Sequence, residues 1–184
     1  MKNGRAVEKW SRVFSQGVWR QLSNSSESLH LFTENPSRGF YHPRSTDEYV
    51  QLLSQLPLEL TQGVRAIVLR RASKPDAKFG VEARRRFRCI LINSFPYSRI
   101  IDWGNAPSER VVRHYEPWCK TWTSTNGRWR LEWSEEEIHR YYLYHLFLHE
   151  LGHINQPPFH AHKRREDFAE GFALNWARKL GVLK

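Results

Sequence analysis

The chain has 184 residues, of which 40% are hydrophobic and 14% aromatic, which is enough apolar surface for one folded domain. It carries 29 Lys and Arg against 19 Asp and Glu, for a formal net charge of +10. This composition excludes a disordered chain, and no apolar run approaches the roughly 18 residues that a membrane span needs.

The first 28 residues are predicted to form an N-terminal helix and a linker, ahead of a single domain over residues 29–184. Apolar residues recur close to helical spacing in the first part of this segment. The polar stretch SNSSES, residues 23–28, is typical of a loop or linker. The apolar positions of the predicted helix are Val7, Trp10, Phe14 and Val18.

The N-terminal residues and the cysteines indicate the cellular compartment in which the protein is expected. The opening residues lack the apolar stretch and the small-residue cleavage site of a secretory signal. The only cysteines, Cys89 and Cys119, form no disulfide framework and no paired zinc-binding spacing. We therefore expect reduced, buried thiols in a cytoplasmic protein that has no membrane partner.

The first two thirds of the domain are predicted to contain one short helix and several strands. The helix lies within residues 45–57, with Ser45 or Thr46 as its cap and Pro57 as its end. Segments rich in strand-forming residues follow at 64–70 and 85–95. Further strands are predicted at 109–118 and, after the turn residues Asn126 and Gly127, at 128–133.

The last third of the chain changes to helical periodicity. Ser134 with Glu137 three residues later forms a capping box, and Pro157 ends the helix that begins there. A second helix is predicted from about Arg164 to Leu180. Strands followed by two helices indicate an α+β domain.

The sequence HELGH, residues 149–153, places metal-ligating side chains within the first of these two helices. His149 and His153 are four residues apart, so both imidazoles lie on one face of a helix, about one turn apart. Imidazole nitrogens suit zinc, which lowers the pKa of a bound water to about 7. Glu150 projects beside the pair and can accept a proton from that water. The spacing therefore predicts a Zn²⁺ site with Glu150 as the catalytic base.

A catalytic zinc needs a third protein ligand, and the stretch EDFAEGF on the second helix offers two glutamates, Glu166 and Glu170. With HELGH and this stretch, the chain resembles the gluzincins, zinc peptidases whose third ligand is a glutamate on a second helix. It is similar in particular to the anthrax lethal factor type, in which a glutamate pair also brackets an aromatic residue and an alanine. The resemblance implies Glu166 as the metal ligand and Glu170 as the acid that orients a liganding histidine.

Other assignments of the third ligand remain open on the sequence alone. Glu170, His160 or His162 could bind the metal instead. Either histidine could otherwise polarise the substrate carbonyl. The separation of 13 residues between His153 and Glu166 is shorter than is usual in thermolysin-like enzymes, and the metzincin pattern does not fit. His145 is predicted to point roughly 80° away from His153 and to be an ordinary core or surface residue.

The sequence therefore predicts a zincin-like α+β fold with a mixed β-sheet, an active-site helix and a C-terminal glutamate helix. The predicted function is a zinc metallopeptidase that hydrolyses a peptide or protein substrate. The alternative is a non-catalytic zincin-fold binding protein with a structural metal or none. The basic clusters at residues 70–71, 84–86 and 163–165 predict attraction to an acidic substrate or to a nucleic-acid partner.

Overall fold

The protein is described by a computed structural model over residues 29–71, 82–158 and 161–184, and a four-stranded sheet lies at its centre. The strands of this sheet are β1 (His30–Thr33), β3 (Ala66–Arg70), β4 (Ala83–Arg86) and β5 (Cys89–Asn93). Their order is β1-β3-β5-β4; the first three are parallel, and β4 runs antiparallel to β5. Within the described residues β4 is therefore an edge strand.

The central strands β3 and β5 are buried on both faces, as their continuous apolar sequences predict. Because side chains alternate along a strand, Ile67 and Ile90 face the main hydrophobic core. Val68 and Leu91 belong to a smaller cluster on the opposite face. The sheet thus forms a rigid wall against which the helices pack.

The first described helix, α1 (Thr46–Ser54), agrees with the prediction. The Ser45 side chain accepts a hydrogen bond from the Glu48 amide, and the Glu48 side chain caps the Ser45 amide in return. Tyr49, Leu52 and Leu53 are buried in the core. A single helical turn, α2 (Leu58–Thr61), follows.

Two smaller sheets complete the β structure. The strands are β2 (Phe40–Tyr41), β6 (Phe95–Pro96), β7 (Ile100–Gly104), β8 (Thr121–Thr125) and β9 (Arg128–Glu132). β2 pairs with β6, and the three others form a sheet in the order β7-β9-β8. Asn126 and Gly127 join β8 to β9 with positive φ angles of 51° and 74°, as their sequence predicts.

The strand predicted at residues 109–118 is wrong, because helix α3 (Glu109–Tyr115) lies there. The Ser108 side chain caps the amide of Val111, and Glu109 forms an ion pair with Arg113 one turn later. These local interactions outweigh the strand preference of the two adjacent valines.

The HELGH sequence lies near the end of a long helical segment made of three contiguous parts. These are α4 (Glu135–Tyr141), a π-helical turn (Tyr142–Leu146) and α5 (Phe147–Asn155). The predicted capping box is present, with reciprocal hydrogen bonds between Ser134 and Glu137. The π-helical turn includes His145, and such turns occur frequently at functional sites.

The C-terminal helix α6 (His162–Lys179) packs along α5 at close range. Ala169, Ala173 and Ala177 are fully buried along the contact. At Gly152 an added Cβ would lie 3.0 Å from the Cα of Ala169, so α5 needs a residue without a side chain there. This close approach sets the distance between the two predicted ligand helices.

The α+β class and the mixed sheet of the prediction are confirmed. Cys89 and Cys119 are both buried. The helix and linker predicted over residues 1–28 fall outside the described residues. Among the residues that are described, no helix is long and apolar enough to cross a membrane.

Candidate metal centre

The packing of α5 against α6 brings His149, His153 and Glu166 together. His149 Nε2 lies 3.5 Å from Glu166 Oε2, and His153 Nε2 lies 3.6 Å from Glu166 Oε1. Two atoms bound to one tetrahedral zinc ion at about 2.1 Å would be about 3.4 Å apart. Two imidazoles and one carboxylate at this spacing fit a zinc ion and leave a fourth position for water or substrate.

The second nitrogen of each ligand histidine faces an acceptor. His153 Nδ1 lies 3.0 Å from Gln156 Oε1, and His149 Nδ1 lies 3.4 Å from Glu170 Oε2. The 3.0 Å contact is a hydrogen bond in which His153 Nδ1 donates to Gln156, so the Nε2 lone pair of His153 is available to a metal on the side where Glu166 lies. The 3.4 Å contact between His149 Nδ1 and Glu170 is longer, and a proton on that nitrogen would leave the Nε2 lone pair of His149 for the same metal.

Glu150 lies beside the ligands but is almost fully buried. Burial raises the pKa of its carboxyl to about 7; the neighbouring His149 opposes this shift, as does a hydrogen bond with the Arg85 backbone. A carboxyl group with a pKa near 7 suits both accepting and donating a proton at neutral pH.

The three candidate ligands and Glu150 line a cleft of about 530 Å³. Helices α5 and α6 form one side of it, and the edge strand β4 forms another through Ala83, Arg84 and Arg85. The cleft is therefore bounded by a strand whose outer edge pairs with no described strand.

A second group of histidines and a glutamate lies next to the first. His145 Nε2 is 3.0 Å from Glu170 Oε2, and His114 Nδ1 is 3.8 Å from Glu170 Oε1. These three residues also satisfy the distance limits of a metal site. The 3.0 Å contact is a hydrogen bond, in which His145 Nε2 donates to the carboxylate. A nitrogen that donates in this way is not free to bind a metal.

The charge of Glu170 follows from the same contacts. Burial acts to raise the pKa of this carboxyl, but hydrogen bonds from His145 and His149 hold it well below its usual range. The pKa of His114 is lowered to about 4, mainly by burial. Glu170 is thus an anion that accepts hydrogen bonds, as expected of the acid that orients His149.

His162, one of the alternative third ligands, is more exposed than Glu166. His162 Nε2 lies 3.5 Å from Glu166 Oε1, but its side chain is 78% exposed at the start of α6. His160 falls outside the described residues. The spacing between the described ligand atoms therefore favours Glu166.

Sequence reasoning missed three neighbours within the site: His145 and His114 lie beside Glu170, and Gln156 lies beside His153. The prediction of a core or surface position for His145 is confirmed, since its side chain is buried, but its contact with Glu170 was not predicted. Its position one turn before His149, on a helix that also carries the motif, is the signal that could have indicated this. No sequence signal connects His114 to the site, because α3 lies about 30 residues earlier in the chain.

Comparisons of the chain with protein-family models, with curated proteins and with solved structures found no match. The resemblance to the gluzincins therefore remains a prediction from the two motifs.

Proposed function

We propose that the protein is a zinc-dependent metallopeptidase of the gluzincin type with a zincin-like fold. The observation that carries this proposal is the meeting of the His149 and His153 Nε2 atoms with the Glu166 carboxylate, 3.5 and 3.6 Å apart, at the wall of an open cleft. Zinc bound there would polarise the substrate carbonyl and lower the pKa of a water molecule to about 7.

The protein residues supply the proton transfers and the positioning. Glu150 accepts a proton from the attacking water and then donates it to the leaving amine. Glu170 and Gln156 hold the Nδ1 protons of the two ligand histidines and so fix the direction of both Nε2 lone pairs. Gly152 allows α6 to approach closely enough for Glu166 to reach them.

The peptide substrate would bind along β4. Strands β5 and β9 are each paired on both sides and cannot accept another strand. β4 borders the cleft and has an edge without a described partner. An extended peptide can form main-chain hydrogen bonds with such an edge, with its scissile bond placed next to Glu150.

The zincin-like fold is supported by the order of the parts. A mixed sheet with an antiparallel edge strand comes first, followed by the helix with HELGH and then the helix with Glu166. Each part contributes to one wall of the same cleft.

The test compares zinc-loaded wild-type protein with Glu150→Gln and with Glu136→Gln, an exposed glutamate on the same helical segment. Hydrolysis of unfolded casein is followed by mass spectrometry, and zinc content is measured by atomic absorption. We expect Glu150→Gln to lower the rate by about 10²–10⁴-fold while zinc content and fold stay unchanged. Glu136→Gln should behave like the wild type.

The non-catalytic alternative predicts a different outcome. A structural metal site would be indifferent to Glu150→Gln, and the wild-type protein would show no zinc-dependent hydrolysis. It would instead lose its fold when a chelator removes the metal. That pattern would overturn the proposed activity.

A further inference from the structure

We propose that the cleft selects peptides that carry a carboxylate next to the scissile bond, and that Arg85 and Arg165 bind this carboxylate. The inference rests on the proposed peptidase function and extends it to the class of substrate. Two of the three basic clusters of the sequence contribute side chains to the same cleft. The arginines concerned are on opposite elements, strand β4 and helix α6.

Arg85 lies on the edge strand, at the point where it meets the active-site helix. Its side chain is exposed and lines the cleft, and its positive charge acts on both Glu150 and His153. Its backbone also forms a hydrogen bond with Glu150. A guanidinium group in this position faces the side chain of a substrate residue near the reacting bond.

Arg165 directly precedes the ligand Glu166 and also lines the cleft. Its side chain is half-buried, and the Nε atom is shielded from solvent without a hydrogen-bond partner among the described residues. A buried guanidinium N–H without an acceptor is costly. A ligand carboxylate that enters the cleft would supply the missing acceptor, and a planar guanidinium binds carboxylates in a two-point geometry.

Three glutamates line the cleft, Glu82, Glu150 and Glu166, and each already has a partner; Glu150 forms a hydrogen bond with the Arg85 backbone. Glu166 faces the two ligand histidines, and Glu82 accepts a hydrogen bond of 2.7 Å from the hydroxyl of Tyr141. Within the described parts of the chain, no carboxylate lies in salt-bridge range of Arg85 or Arg165. The two arginines thus remain as positive charges at the substrate position, where they would attract a negative one.

The carboxylate could belong to an aspartate or glutamate side chain or to the C-terminus of a short peptide. Both sources present the same chemical group to the two arginines. Peptides with a free or an amidated C-terminus distinguish them. A neutral peptide in which glutamine replaces glutamate provides the matched reference.

The experiment measures binding of fluorescein-labelled octapeptides of alanine and serine with one central Glu or Gln, each as the free acid and as the C-terminal amide. Fluorescence anisotropy is recorded with zinc-loaded Glu150→Gln protein. Hydrolysis of the same peptides by zinc-loaded wild-type protein is followed by mass spectrometry. We expect at least one carboxylate-bearing peptide to bind about tenfold more tightly than the amidated Gln peptide.

The arginine variants test the two residues against matched controls. Arg85→Gln and Arg165→Gln, each added to Glu150→Gln, should each reduce the tenfold preference to about twofold or less. Arg88→Gln and Arg164→Gln are the matched controls. Arg88 lies just after β4 and Arg164 lies on α6; both are exposed, and neither lines the cleft. Each control removes one positive charge and should preserve the preference. Equal binding of all four peptides, or the same loss in the controls, would overturn the inference.

The hydrolysis measurement separates this inference from the proposed function. Cleavage of all four peptides at the same rate by wild-type protein would overturn the carboxylate selection and leave the peptidase proposal standing. A carboxylate preference in binding, with no zinc-dependent cleavage of any peptide or of casein, would overturn the peptidase proposal and support the binding role of the arginines.

Discussion

Two groups, each of two histidines and one glutamate, lie side by side where α6 packs against the long helical segment. They have the same composition but differ in geometry. In the group of His149, His153 and Glu166, the facing nitrogen and oxygen atoms are 3.5 and 3.6 Å apart. In the group of His114, His145 and Glu170, the shortest contact is 3.0 Å and the next is 3.8 Å. The first spacing leaves room for an ion between the atoms, whereas the second is that of a direct hydrogen bond.

The nitrogen atoms that face the carboxylate also differ in protonation between the groups. In the first group, His153 donates to Gln156 through Nδ1, so its Nε2 lone pair faces Glu166, and His149 Nδ1 faces Glu170 at 3.4 Å. In the second, His145 uses Nε2 itself as the donor to Glu170. Two histidines and a glutamate close together therefore do not by themselves define a metal site. A histidine nitrogen can bind a metal only if its lone pair is free, and the hydrogen bonds of the neighbouring residues decide which nitrogen carries the proton.

The largest effect that would test this comparison is the loss of a ligand carboxylate. Glu166→Ala removes one of the three proposed ligands. Because protein zinc sites typically bind with a free energy of about 10 kcal/mol or more, zinc affinity should then fall by more than about 100-fold. Titration with a competing zinc chelator measures the change. An affinity within a few-fold of the wild type would show that Glu166 is not a ligand.

The second group should respond less. Glu170→Gln keeps an acceptor for the histidines but removes its negative charge, and loss of such outer partners typically lowers metal affinity by about 10–100-fold. His114→Gln should have little effect, because its Nδ1 is 3.8 Å from Glu170 and outside hydrogen-bond distance. Two zinc ions per wild-type chain, reduced to one by His114→Gln, would contradict the comparison and make the second group a metal site.

The sequence predicted most of the first group and little of the second. His149, Glu150 and His153 follow from helical periodicity, which is local, and Glu166 follows from a motif on the next helix. Gln156 and His145 lie on or just after the same helix, but their roles depend on where α6 places Glu170. His114 lies on α3, where the β preference of Val111 and Val112 predicts a strand but the cap formed by Ser108 favours a helix.

The same division between local and distant information applies to the fold. Capping boxes at Ser45 and Ser134 and the turn at Asn126 and Gly127 fixed element boundaries correctly because each signal involves neighbouring residues. The strand order, with β4 antiparallel at the edge, depends on contacts far apart in the chain. For this reason the sequence alone does not indicate that β5 and β9 are paired on both sides while β4 keeps an unpaired edge among the described strands.

A smaller effect is expected behind the second group, where Tyr141 stacks on His145 and donates a hydrogen bond to Glu82. Burial raises the pKa of Glu82 to about 7, although hydrogen bonds from Tyr141 and Tyr115 act against this shift. The folded state therefore binds more protons than the unfolded state between the usual glutamate pKa of 4.5 and about 7. The contribution of Glu82 to the free energy of unfolding is therefore fully present below pH 4.5 and is lost as the pH rises through about 7.

Glu82→Gln keeps the hydrogen-bond acceptor and removes the titration. The unfolding free energy of the wild type should fall, relative to this variant, by on the order of 2 kcal/mol between pH 5 and pH 8. Urea unfolding at both pH values, at one zinc concentration, measures the difference between the two proteins. Parallel pH profiles for wild type and Glu82→Gln would show that Glu82 ionises as it does in the unfolded chain.

The smallest effect is expected at the close contact between α5 and α6. This contact places Glu166 and Glu170, both on α6, beside the histidines. A Cβ at position 152 would lie 3.0 Å from Ala169 Cα and 3.1 Å from Phe172 Cβ, so Gly152→Ala must push α5 and α6 apart. Overpacking of this kind costs about 1–3 kcal/mol, and the better helix propensity of alanine offsets up to about 1 kcal/mol. Gly171→Ala is the matched control on α6, where nothing lies within 4 Å of the added Cβ, and it should stabilise the protein by about 0.5–1 kcal/mol.

Since the first group needs both helices at a fixed separation, Gly152→Ala should also weaken zinc binding, whereas Gly171→Ala should not. If zinc affinity were unchanged in Gly152→Ala, the helix separation would not set the geometry of the site.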